Sequence, residues 1–179
     1  MIELTDDFQQ RAQDIRCVIF DVDGVLTDGK LFFDLKGNEY KSFHAQDGQG
    51  LKLLQQNDID VAVISGRSSP LVEQRMKNLG VTNIYQGQEN KTAAFNHLLK
   101  KLNITPNQVA HVGDDLPDLA LMTRTRLAIA VKDANPSILG YCQGQTERLG
   151  GHGAAREVCD TILSIQDKLT PSVQLFCDT

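Results

Sequence analysis

The stretch Cys17-Val18-Ile19-Phe20-Asp21-Val22-Asp23-Gly24-Val25-Leu26-Thr27 is a short apolar run that breaks off abruptly into acids. Four consecutive apolar residues suit a strand buried on both faces, the habit of a parallel sheet covered by helices. Asp21 and Asp23 are two apart, so on a regular strand they would face opposite ways. Just past a strand end the backbone can bend until both flank one group, and Gly24 makes that bend sterically cheap.

The same reading repeats outward along the chain. Val61–Ile64 ends at Ser65, Val109–Val112 ends at Gly113-Asp114, and Leu127–Val131 runs towards Lys132-Asp133. Helical patterns separate these runs. Gly48–Gln56 carries Leu51, Leu53 and Leu54 on one side. Ser69-Pro70 opens a helix that Gly80 closes. Asn90–Leu102 places Ala94, Phe95, Leu98, Leu99 and Leu102 at helical spacing, and Ala154–Ile165 does so with Val158, Ile162 and Ile165. Strands alternating with amphipathic helices predict an α/β domain, a parallel sheet with helices on both faces. One segment breaks the alternation. Leu31-Phe32-Phe33, a turn at Lys36–Asn38 and Tyr40–Phe43 read as a protruding β-hairpin, about residues 29–43. With no internal repeat or linker, residues 1–179 read as a single domain, and the tail of about residues 167–179 has little pattern and is expected to be mobile.

Apolar residues make up 41% of the chain and charged residues 23%, which excludes a disordered or collagen-like protein. The net charge of -5 leaves no electrostatic footprint for nucleic acid or an anionic membrane. No stretch approaches the roughly 20 apolar residues of a spanning helix, and Met1–Gln10 lacks the pattern of a secretory signal. Cys17, Cys142, Cys159 and Cys177 have no CxxC spacing, so reduced thiols, no structural zinc and a cytoplasmic location are expected.

In an open parallel sheet, ligands bind beyond the carboxyl ends of the strands. The polar residues ending each run therefore face one site: Asp21 and Asp23, Ser65-Gly66-Arg67, and Gly113-Asp114-Asp115 with Asp118 one turn on. Lys91 opens a helix between them. Clustered carboxylates repel, and a hard cation such as Mg²⁺ offsets that cost by taking one or two carboxylates with carbonyls, waters and phosphate oxygens. One carboxylate can then attack phosphorus while its neighbour handles protons. Taken singly, each residue has a plainer reading: Asp21 or Asp23 suits a turn, Asp114-Asp115 a helix cap, Asp118 a helix dipole, and Ser65 a turn hydroxyl. Their joint placement at the ends of one sheet points to a site.

DVDGVLT (Asp21–Thr27), the serine of Ile64-Ser65-Gly66-Arg67, Lys91 and GDDLPD (Gly113–Asp118) resemble, in this order, the four motifs of the haloacid dehalogenase superfamily of phosphotransferases. The resemblance implies a Rossmann-like α/β fold. Between Asp21 and Ser65 there is room only for the hairpin and one helix, and between Ser65 and Lys91 only for a helix and a short strand. No cap domain is expected, so the lid over the site must come from elsewhere, most simply a neighbouring subunit.

A finer likeness runs from about Ile15 to Gln166. Asp21–Gly29, Lys41–His44 with Asp47-Gly48, Tyr85–Gln88 with Lys91, and Gly150–Ala154 with Arg156-Glu157 resemble the 3-deoxy-D-manno-octulosonate 8-phosphate phosphatase family. That resemblance implies a Mg²⁺-dependent hydrolase of a small phosphosugar in lipopolysaccharide precursor synthesis. It also implies a homotetramer, with hairpins packed around a central barrel and C-terminal segments approaching neighbouring sites.

Carried over by position, Asp21 is the nucleophile that forms an aspartyl-phosphate. Asp23 is the acid that then becomes the base, with its carbonyl on the metal, and Asp114 completes the metal ligands with Asp21. Asp115 and Asp118 orient those ligands, and Ser65 and Lys91 hold the phosphoryl oxygens. Implied substrate contacts are Asp23, His44, Ala45, Gln46, Asp47, Gly48, Lys52, Arg67, Arg75 and Lys91, whose cations suit a ligand carrying phosphate and carboxylate. Lys52 and Arg75 read equally well as solvated helix charges, and His44 as a cap on the hairpin's end. Gly150–Gly153 reads as a loop that brings backbone close to a ligand ahead of a helix start suited to anions, or as a flexible turn. Two positions depart from the family pattern: Gln46 stands where Arg is usual, and His152 where Lys or Arg is frequent. They leave open a sialic-acid or Kdn 9-phosphate as substrate. A phospho-acceptor signalling domain is the alternative of another class.

Overall fold

The computed structural model describes residues 2–177. Alternate residues of each apolar run feed opposite faces of one sheet. In β1 (Cys17–Phe20), Val18 and Phe20 join the larger core cluster, while Cys17 and Ile19 join a second cluster on the other face. β4 (Asp60–Ile64) divides the same way, Val61 and Val63 against Ala62 and Ile64. With β5 (Asn83–Tyr85), β6 (Val109–Gly113), β7 (Leu127–Ala130) and β8 (Gly144–Gln145) they form a six-stranded sheet in the order β5-β4-β1-β6-β7-β8. Every pairing in it is parallel.

The chain steps from β1 to β4 and β5 on one side, then returns to lay β6 on the other side of β1. The strand order thus reverses between β1 and β6, the kind of crevice in which open α/β sheets bind ligands.

Helices α1 (Asp6–Ala12), α2 (Ala45–Gln56), α3 (Pro70–Asn78) and α6 (Ala154–Ile165) fill the larger cluster, α4 (Lys91–Leu102) covers the other face, and α5 (Leu119–Met122) reaches both, with Leu121 on the α4 side and Met122 in the larger cluster. The expected helices are present within a few residues of their expected ends. α1, which the polar start of the chain conceals, is capped by Thr5 accepting from Phe8 N at 3.2 Å and buries Phe8 and Ala12. In the tail, Leu169–Leu175 forms α7, with Asn57 Nδ2 donating to Ser172 Oγ at 2.8 Å, while residues 178–179 lie outside the described residues.

The hairpin is shorter than its apolar residues suggest, with β2 (Phe32–Phe33) antiparallel to β3 (Glu39–Tyr40). Asp34 knots its turn, accepting from Lys36 N and Asn38 N at 2.8 Å each, while Gly37 takes φ +80°. Phe33 is 58% exposed and Leu35 fully so, a large apolar exposure for so small an element. All four cysteines are free thiols.

Candidate active site

β1 ends in a tight turn because Val22 O accepts from the backbone N–H groups of Val25, Leu26 and Thr27 at 3.2, 2.9 and 3.0 Å. Thr27 Oγ1 ties the loop further, donating to Val22 O and accepting from Gly24 N and Gly29 N. Gly24 adopts φ +94°, and a Cβ there would overlap the Asp114 carboxylate, so both the turn and the close approach of the two acidic loops require glycine. Gly151 N donates to Val25 O at 2.9 Å, and a Cβ at Gly150 or Gly151 would strike the backbone of Gly24 or Thr27. The Gly150–Gly153 segment therefore approaches the backbone of the acidic loop and buttresses it.

Asp21, Asp114 and Asp118 each offer a carboxylate oxygen within 4.8 Å of the others, a group that can hold a metal ion. The hydrogen bonds divide the three. Asp118 Oδ1 accepts from Lys91 Nζ at 2.7 Å and from His111 Nε2 at 3.0 Å, and Oδ2 accepts from Asp114 N at 2.9 Å and Asp115 N at 3.3 Å. A carboxylate has about four lone-pair sites. Those of Asp118 are taken, which leaves Asp21 and Asp114 as the carboxylates free to face a cation. Lys91, 3% exposed, also donates from Nζ to Asp21 Oδ1 at 2.6 Å and so bridges Asp21 and Asp118.

Electrostatics follow from that network. Burial raises the Asp21 pKa above the usual carboxylate range, and the Asp118 charge adds to it against Lys91. Asp114 is pushed up to about 8, by burial first and then by the charges of Asp118 and Asp21. Asp118 goes the other way: burial alone would raise it, but His111 and Lys91 hold it below the ordinary value. Burial would lower Lys91, yet Asp21 and Asp118 outweigh that and keep it protonated. Such paired acids with excess negative charge suit a hard divalent cation.

Asp23 lies at the mouth of the site. Lys41 Nζ donates to its Oδ1, and Arg67 Nε lies 3.4 Å from its Oδ2. Glu39 joins both cations, 2.8 Å from Arg67 Nη2 and 3.4 Å from Lys41 Nζ. The hairpin's second strand is thus ionically fastened to the acidic loop. Ser65 is buried at the end of β4, its backbone pinned by Tyr85 O at 2.9 Å and Gln88 N at 3.0 Å.

The remaining expected substrate contacts are more dispersed. His44 precedes α2 without capping it through its side chain, and Ala45 and Gln46 are exposed in the first turn, Gln46 Oε1 accepting from Arg148 Nη1 at 3.0 Å. Asp47 is buried, and its Oδ1 caps α6 by accepting from Arg156 N at 2.8 Å. The helix start that the sequence suggested for a ligand anion thus holds a carboxylate of this chain. The Arg75 guanidinium lies over Gly48, where a Cβ would collide with it, and Lys52 is exposed on α2. Asp115 is exposed and its Oδ1 accepts from Asn135 Nδ2 at 2.8 Å; only its backbone N–H joins the Asp118 hub.

Comparison with known proteins agrees with this geometry. A family model described as haloacid dehalogenase-like hydrolase matches residues 80–157. The chain is 48% identical over 166 residues, 93% of its length and 89% of the relative's, to the 3-deoxy-D-manno-octulosonate 8-phosphate phosphatase of Yersinia pestis. The chain belongs to that phosphatase family. A crystal structure of the Moraxella catarrhalis enzyme, in complex with magnesium ion, phosphate ion and a KDO molecule, superposes with a TM-score of 0.94 at 39% identity, covering 97% of this chain and 99% of that one. The cobalt-bound enzyme from Haemophilus influenzae gives 0.87 at 41% identity, covering 89% and 94%.

Membership in the phosphatase family sets aside the signalling-domain alternative. It also gives weight to three residues that the sequence reading left out of the site. Lys41 was visible only as part of a motif, because its ion pair with Asp23 depends on how the hairpin returns. Asn135 clamps the loop after β6, donating N–H to Asp114 O at 2.7 Å and Nδ2–H to Asp115. His111 looked like an ordinary residue of an apolar strand. Among the described residues no helix is long and apolar enough to cross a membrane.

Proposed function

We propose that the protein is a Mg²⁺-dependent phosphatase that hydrolyses 3-deoxy-D-manno-octulosonate 8-phosphate to Kdo and inorganic phosphate, in the cytoplasm, during lipopolysaccharide precursor synthesis. The observation that carries this reading is Lys91 Nζ bridging Asp21 and Asp118, with Asp114 packed on Gly24 beside them. Mg²⁺, bound by Asp21, Asp114 and the Asp23 carbonyl, supplies the positive charge that lets a phosphate approach these carboxylates.

Asp21 attacks phosphorus, the bond from phosphorus to the sugar oxygen breaks, and Asp23 gives the departing oxygen its proton. Asp23 then takes a proton from a water that attacks the aspartyl-phosphate, which frees phosphate and restores Asp21. Lys91 and Ser65 hold the phosphoryl oxygens, Lys91 where charge gathers in the transition state. Arg67, exposed at the mouth, suits the substrate's anionic groups. The exposed Phe32, Phe33, Leu35 and Tyr40 support assembly into a homotetramer through the hairpins, with a neighbouring subunit as lid.

Phosphate release from the 8-phosphate, beside sialic-acid and Kdn 9-phosphates and simple hexose phosphates, with Mg²⁺ and with EDTA, tests the reading. It predicts a strong, EDTA-sensitive preference for the 8-phosphate. Preference for a 9-phosphate would keep the chemistry and overturn the pathway.

A further inference from the structure

His111 is an imidazole in the middle of β6, between β1 and β7, with Val109, Ala110 and Val112 as strand neighbours and 0% exposure. Val109 belongs to the cluster covered by α4 and α5 and Ala110 and Val112 to the opposite one, so alternation turns His111 towards α4 and α5. A residue on an inner parallel strand is ordinarily apolar. Here an imidazole is kept at a desolvation cost, with the Ile19 backbone beside its ring. Its Nε2 lies 3.0 Å from Asp118 Oδ1.

Asp118 is ionised and can only accept, so Nε2 carries the shared proton. Burial lowers the pKa of His111, against the opposing pull of Asp118 and the Ile19 backbone. The geometry points to His111 as a positioning residue for phosphoryl transfer: its Nε2–H fills the last lone pair of Asp118, fixing that carboxylate towards Lys91 and away from the cation site. Without that donor, Asp118 Oδ1 has a free lone pair that competes with Asp114 for the cation, and Lys91 loses the fixed anchor that sets its reach to Asp21. The role rests on the phosphatase reading; the hydrogen bond does not.

The test uses the full chain as wild type, His111→Gln and His111→Phe. Long-range ¹H–¹⁵N spectra of the metal-free protein report the tautomer, the His111 signal among four histidines being the one lost in His111→Gln. The expected result is a ring that carries a proton on Nε2. With Mg²⁺ and the 8-phosphate, His111→Phe is expected to lower kcat about 10-fold or more with KM within about 2-fold, and His111→Gln, which retains an N–H donor, to recover most of the loss. Wild-type kcat in a folded His111→Phe, equal losses in both variants, or a ring with no proton on Nε2 would each overturn the role. The tautomer is read on the wild type, so it stands even where the Phe variant does not fold. A wild type inactive on every phosphosugar would instead overturn the phosphatase reading.

Discussion

Lys91 Nζ lies 2.7 Å from Asp118 Oδ1, and the side chains of both residues are almost wholly buried. A buried ion pair of this kind is weak evidence for stability but strong evidence for placement, since it fixes where the ammonium stands relative to Asp21. Asp118→Ala is expected to cut kcat by about 10²-fold while Mg²⁺ binding persists, because on the proposed reading Asp118 anchors Lys91 and leaves the metal to Asp21 and Asp114. Steady-state rates beside Mg²⁺-induced thermal shifts check both halves. Loss of the shift would place Asp118 on the metal.

Asp114 makes a pH-dependent prediction. Its carboxyl is pushed up to about 8 from 3.8, so between these values the metal-free folded protein holds a proton that the unfolded chain has released. Stability from this group therefore falls as pH rises through that window and levels off above it. Mg²⁺ needs the ionised form, so binding at pH 7 is expected to release about one proton, and much less at pH 9. Calorimetry in buffers of different ionisation enthalpy measures this directly.

Removing the same charge separates stability from function. Asp114→Asn is expected to raise the melting temperature of the metal-free protein at pH 8 by about 3 °C and to abolish the shift that Mg²⁺ produces. A destabilised variant that still responds to Mg²⁺ would contradict the role of Asp114 as ligand.

Lys41 holds Asp23 from the hairpin side, its side chain 2% exposed. Lys41→Met is expected to lower kcat by about 10- to 10²-fold through misplacement of Asp23, with the fold unchanged by circular dichroism. A charge introduced on the hairpin reads a different property. If the proposed homotetramer packs through the hairpins, Phe33→Glu is expected to shift sedimentation velocity towards smaller species, since it places a charge in that apolar contact.

The alternation of apolar runs with amphipathic helices made the sheet and its covering helices legible, because burial on both faces leaves a continuous apolar signature. Motif spacing likewise brought Asp21, Lys91, Asp114 and Asp118 together in advance. What escaped depends on contacts distant in sequence. Asn135 reaches back to the loop after β6, and Asp47 caps α6 from α2, and neither has a local pattern. β8 is two residues long and α1 begins among acids, too short or too polar for periodicity to register. Glycine was legible as freedom at Gly24, but only the structure explains Gly150 and Gly151, which lie where side chains would strike the acidic loop.

The most direct test of the central claim is phosphate release from the 8-phosphate by wild type and Asp21→Asn side by side, with Mg²⁺ and equal melting temperatures verified. The account predicts EDTA-sensitive turnover by the wild type and a loss of at least about 10³-fold in the variant. An Asp21→Asn protein within about 10-fold of wild type would contradict it, since Asp21 is the proposed phosphoryl acceptor.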